Sequence, residues 1–150
     1  MRTIKSLDEL RELAAGRTLY IRYSHSHEAD IKRGYSLDHS TMRREPGLSV
    51  QVIEGDEWDG SRGWLARVIA DYGGRVKMDD GSYGWVATGT VSGRDSDDCP
   101  TLASVTCLAI LDRDFVLRCL AYSRDTYERD RTHRGVNDSR PWPQIEDYGI

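Results

Sequence analysis

Hydrophobic and polar positions follow two different periods along this chain, and those periods predict its elements. Leu7, Leu10 and Leu13 recur at helical spacing after Ser6 and Glu9. That pair forms a capping box, so a short helix is expected, stopped by Gly16. Over 17–24 the period drops to two, with Leu19, Ile21 and Tyr23 set against Thr18, Tyr20 and Arg22, which predicts a strand. Arg22 is therefore expected on the face opposite Leu19 and Ile21, where truncating it opens no large core cavity and leaves stability nearly unchanged. Residues 27–34 suit one or two helical turns ended by Gly34. A loop over 36–46, closed by Pro46 and Gly47, leads to a second strand with Leu48, Val50 and Val52 on one face and Ser49 and Gln51 on the other.

In the second half, Trp64, Val68 and Tyr72 mark an amphipathic helix over 61–74, expected to stop at Gly73 and Gly74. An Asp-Gly turn at 80–81 precedes a strand over 83–93, and a polar turn follows at 94–100. Residues 104–111 read as a buried strand. Asp112 is the expected N-cap of the longest helix, with Phe115, Leu117, Leu120 and Ala121 toward the core. From about Asp130 the chain turns polar, with prolines at 141 and 143. The expectation is a single α+β domain over 1–130, a small mixed or antiparallel sheet of about four or more strands packed by three helices. Residues 131–150 form a polar tail containing proline and tryptophan.

Composition narrows the chemistry. At 150 residues, one compact core is expected, and the net charge of −4 argues against a protein held on nucleic acid by bulk electrostatics. Cys99, Cys107 and Cys119 form no CxxC pair and suit reduced thiols in a cytoplasmic protein. The longest apolar run is too short to span a bilayer. His25 and His27 alternate, with Asp30 and His39 nearby, but no second cluster completes a zinc set. A solvated, hydrogen-bonding loop is the better reading, and no metal is expected. The acidic run at 95–98, even joined by Asp79 and Asp80, lacks the alternation and distal glutamate of a calcium loop. P-loop, G-x-G-x-x-G and G-x-S-x-G patterns are absent from the sequence.

One resemblance emerges from the order of these segments. The runs LYIRYS, Ile31 to Gly34 as I-x-x-G, GLSV, WLARVIADYG and WVATGTV are similar in order to small ADP-ribosyltransferase-like domains, over about residues 17–92. The whole chain also resembles an uncharacterised actinobacterial family. The first resemblance implies a catalytic arginine at Arg22, a serine at Ser49 and a glutamate at Glu146, within the run QIE. It also implies an NAD site drawing on Arg22, Tyr23, Ser24, Ser49 and Tyr72. Arg22 would offer its forked donors to a pyrophosphate or ribose. The carboxylate would offset the positive charge that develops as an N-glycosidic bond breaks.

Two functions therefore stand as expectations. One is NAD- or nucleotide-dependent ADP-ribosyl transfer. The other is a non-catalytic protein-interaction module docking through its tail, where Trp142 and Tyr148 are anchor-type residues between prolines and acids. Convergence of Arg22, Ser49 and Glu146 on one concave pocket is the feature that separates them.

Overall fold

The computed structural model describes residues 1–53, 62–75, 81–133 and 141–150; the side chains of Trp64, 71–75 and 127–133 lie outside that description. The elements run β1 (Arg2–Ile4), α1 (Leu7–Ala14), β2 (Leu19–Ser24), α2 (His27–Arg33), β3 (Leu48–Ser49), β4 (Gln51–Ile53), α3 (Arg62–Arg75), β5 (Tyr83–Arg94), β6 (Pro100–Leu111) and α4 (Arg113–His133). A short 3-10 turn at Ile145–Tyr148 ends the chain. The fold is α+β, as the periodicities predict.

The sheet order is β1-β6-β5-β2-β4, with β3 also paired to β6. β1 lies parallel to β6 and the other pairings are antiparallel, so the sheet is mixed. Only Val50 separates β3 from β4. Leu48 pairs with Leu102 of β6, whereas Ile53 pairs with Leu19 of β2. One extended run thus bridges β6 and β2, and the sheet curls around it.

Strand alternation sorts the core into two faces. On one, Leu19, Ile21 and Tyr23 of β2 and Val86 of β5 meet Leu7 and Leu10 of α1, Leu65 and Ile69 of α3, and Phe115 and Val116 of α4. Each such aliphatic side chain stabilises the fold by about 2 kcal/mol. The other face is thinner. Tyr20 packs on Val50 and Leu102, while Trp85 and Ala87 pack on Leu48 with Ile31 of α2 alongside. Arg22 belongs to this second face, as its position in the alternation requires.

Local chemistry fixes the ends. Ser6 Oγ accepts the Glu9 N–H at 3.2 Å, Ser26 Oγ accepts that of Ala29 at 3.1 Å, and Asp112 Oδ2 accepts that of Phe115 at 3.1 Å. Gly34 closes α2 in the left-handed region at φ 81°, donating to the Asp30 carbonyl at 2.8 Å.

Four expectations need correction. β1 went unforeseen, because only Ile4 of its three residues is buried; its place comes from pairing with β6, a long-range contact no local pattern encodes. α3 does not stop at Gly73 and Gly74 but continues to Arg75. Leu117 is 40% exposed, and the inward stripe of α4 is Phe115, Val116 and Cys119, with Leu120 packed against the core as expected. The strand expected over 104–111 begins at Pro100 and is only half buried, with Ser104 and Thr106 exposed. The Asp79–Asp80 portion of the predicted turn lies outside the described residues.

Candidate functional site

Arg22 is the hub of the second face. Its Nε donates to Asp30 Oδ2 at 2.6 Å, and its Nη1 donates to Ser36 Oγ at 3.2 Å and to the Ser49 carbonyl at 2.8 Å. The Arg22 and Asp30 side chains are only 15% and 10% exposed. Ser36 Oγ also accepts the Ser49 N–H at 3.0 Å. One guanidinium therefore ties β2, α2, the loop after α2 and β3 together. α2 brings little apolar surface, Ile31 being its one large aliphatic residue, so it is held largely through buried polar contacts that must be satisfied.

What the sequence predicts as a loop over 36–46 is a hairpin. Ser36 N–H donates to the Gly47 carbonyl at 2.9 Å, Glu45 N–H to Ser36 at 2.8 Å, Asp38 N–H to Arg43 at 2.9 Å and Met42 N–H to Asp38 at 2.7 Å. Leu37 and Arg44 form a bridge across it. Arg44 stacks over the Tyr35 ring at 4.5 Å from its centroid, and Arg33 approaches the same ring at 5.8 Å. Met42, near the tip, holds φ at 57°.

Between this hairpin and the 95–99 turn lies an open cleft of about 450 Å³. Arg22, Arg33, Ser36, His39 and Ser49 contribute to its lining, as do Asp38, Glu45, Asp95, Asp97 and Cys99. Asp38 is held below the usual carboxylate range, chiefly by the Ser40 backbone N–H, so its charge persists. Since Asp30 already neutralises Arg22, the four lining carboxylates outweigh the remaining cations.

The expected site residues fall in different places. Arg22 and Ser49 meet in this cleft. Tyr23 is turned into the helix-side core, its hydroxyl donating to the Ile69 carbonyl at 3.1 Å, and burial pushes that phenol up. Ser24 Oγ accepts the Trp85 indole N–H at 3.0 Å. Tyr72 belongs to α3, and its side chain lies outside the described residues. Glu146 lines a separate groove with Arg11, Arg62 and Tyr122. Its neighbour Ile145 packs on the helix-side core, so Glu146 sits across the sheet from Arg22.

The histidines diverge as well. His25 Nε2 lies 3.3 Å from Ser82 Oγ, His27 Nδ1 lies 2.7 Å from the Tyr83 hydroxyl, and His39 belongs to the cleft. Among the described residues, no group of three or more His, Cys, Asp and Glu side chains is placed to hold a metal ion. Burial raises the Cys119 thiol to about 12 and pushes Cys107 up, which keeps both protonated at neutral pH.

The tail question has a structural answer. Tyr148 donates to Asp125 Oδ2 at 2.7 Å and packs edge-on against Tyr122, while Ile145 and Ile150 rest on the core. Residues 141–150 dock on their own domain, leaving Trp142 42% exposed.

Sequence reasoning missed Asp30, Ser36 and the Tyr35–Arg44 stack as partners in one assembly. A signal existed for Asp30: a helix as polar as HEADIKR, set beside a strand arginine, needs a buried charge partner. Nothing local marks Ser36.

Comparison with known proteins adds one assignment. The chain belongs to DUF6098, a family of unknown function, matched over residues 1–135. No curated protein and no solved structure matches it. Membership in DUF6098 thus covers the whole second face and its hairpin, and carries no activity with it. Among the described residues no helix is long and apolar enough to cross a membrane.

Proposed function

We propose that the protein is a non-catalytic interaction module that engages a partner on the hairpin side of its curled sheet. The observation that carries this reading is the internal commitment of Arg22. Its Nε and Nη1 are spent on Asp30, Ser36 and Ser49 at 2.6–3.2 Å, which is the wiring of a structural latch. Unlatching it to grip a ligand would leave the buried Asp30 carboxylate only its longer pairing to Arg33 at 3.5 Å. The tail, the partner-binding element expected from the sequence, is already occupied by its own domain, so the hairpin side takes over that role.

A second reading keeps NAD-dependent ADP-ribosyl transfer. It is favoured by the presence of Arg22 and Ser49 in one cleft, with Glu45 there as a carboxylate in place of the distant Glu146. Against it stands the excess of carboxylates at the cleft, which repels a pyrophosphate.

Titration calorimetry with NAD, together with an assay for released nicotinamide, separates the two. The module reading expects neither heat nor release at about millimolar ligand, where only binding weaker than about −4 kcal/mol would escape notice. Saturable NAD binding, with release abolished in Glu45→Gln and binding retained, would establish the transferase instead.

A further inference from the structure

We infer that the outer face of the 36–47 hairpin, with Lys32 beside it, is a docking surface for an acidic segment of a partner protein that also carries aliphatic side chains. This rests on the interaction-module reading and names the partner's chemistry. Charge is the first argument. Residues 32–45 hold Lys32, Arg33, Arg43 and Arg44 against Asp38 and Glu45, a net charge of +2, while the whole chain carries −4, so the remainder carries a net charge of −6. The two carboxylates are engaged locally: Asp38 Oδ1 accepts the Ser40 N–H at 2.8 Å and Glu45 Oε1 that of Ser96 at 3.4 Å. Among the cations, Arg33 donates to the Tyr35 carbonyl at 2.7 Å and pairs with Asp30 at 3.5 Å. Arg44 lies on Tyr35 and donates no hydrogen bond to a described residue, so its fork of donors is oriented but unspent.

Apolar exposure is the second argument. Met42 is 66% exposed near the tip of the hairpin and does not line the cleft, which Leu37 does. Methionine adapts to varied apolar partners, and it sits here in a left-handed conformation that disfavours any non-glycine side chain. Rigidity is the third. The cross-hairpin hydrogen bonds and the Ser36–Arg22 anchor beneath them fix the platform before a partner arrives, which lowers the ordering entropy of binding. A nucleic-acid strand fits less well, since Arg44 covers a face of Tyr35 and the acidic remainder of the chain repels a long polyanion.

Fluorescence anisotropy of the full chain with a labelled peptide of glutamates and leucines tests the inference. Controls are a lysine–leucine peptide of the same pattern and a thymidine oligonucleotide. Saturable binding of the acidic peptide, weakening as salt rises, is expected. It should fall roughly tenfold or more in Arg43→Glu/Arg44→Glu and a few-fold in Met42→Ser, with thermal stability unchanged because these side chains are exposed. Equal binding by the charge-reversed variant, no binding of the acidic peptide, or tighter binding of the oligonucleotide would overturn it. So would self-association of the chain that the same variant abolishes, since the occupant would then be a second copy. Preference for the lysine–leucine peptide would sink this surface while leaving the module reading standing. Turnover of NAD would remove the module reading itself.

Discussion

Arg22 Nε and Asp30 Oδ2 stand 2.6 Å apart across the gap between β2 and α2, in side chains 15% and 10% exposed. Removing Asp30 leaves Arg22 charged and buried, and removing Arg22 leaves Asp30 with only the longer pairing to Arg33 Nη2 at 3.5 Å. Arg22→Ala and Asp30→Ala should therefore each lose about 3–5 kcal/mol of stability, whereas Arg22→Met/Asp30→Leu should lose less than either single change. Denaturant midpoints of the three variants check this. Near-native stability of Arg22→Ala, the outcome expected from strand alternation alone, would mean that the pair does not hold the fold.

The serine pair offers a sharper contrast. Ser36 Oγ accepts from both Arg22 Nη1 and the Ser49 N–H, while Ser49 serves the network through its backbone. Ser36→Ala should cost about 1–3 kcal/mol by leaving buried donors unpaired, and Ser49→Ala well under 1 kcal/mol. Urea titration would expose a reversed order, which would return Ser49 to the role of a side-chain ligand.

Gly47 permits the hairpin to rejoin the sheet. A Cβ there would collide with the Leu102 carbonyl oxygen and would lie 2.5 Å from Ser92 Oγ. Backbone cannot step aside cheaply, so Gly47→Ala should destabilise by about 2 kcal/mol or more. A melting temperature equal to wild type would show that β3 lies farther from β6 than the structure places it.

The docked tail predicts an alkaline transition. Burial and the hydrogen bond to Asp125 push the Tyr148 phenol up to about 12. A raised pKa means that the folded chain keeps a proton the unfolded chain has lost. The contribution is thus complete below about pH 10, the unfolded value, and disappears as pH climbs through about 12. Because Tyr23 is also raised, the test is the difference between wild type and Tyr148→Phe. Their stabilities should converge across that window; a constant difference would mean that Tyr148 is not protonated against Asp125.

Much of this fold was legible because its signals are local. Ser6 and Asp112 announce helix starts, Gly34 announces a stop, and the alternation around Leu19 and Ile21 sends Arg22 to the correct face. The failures share a cause in long-range contact. β1 exists through β6, and α3 runs past two glycines that propensity alone would make a stop. The site was legible only in part for the same reason. The sequence sets Arg22 and Ser49 on the polar faces of their own strands, but does not show that Asp30 and Ser36 consume the donors between them. Glu146 satisfied a motif while standing on the opposite side of the sheet.

The central claim is that Arg22 latches the hairpin in place instead of waiting for a ligand. Native-state hydrogen exchange of wild type and Arg22→Met tests it most directly. The account predicts that the amides of Ser36, Asp38, Met42, Glu45 and Ser49 lose protection selectively, while the Val116 amide in α4, which donates to Asp112 at 3.0 Å, keeps most of its own. Unchanged protection of the hairpin amides in Arg22→Met would contradict it.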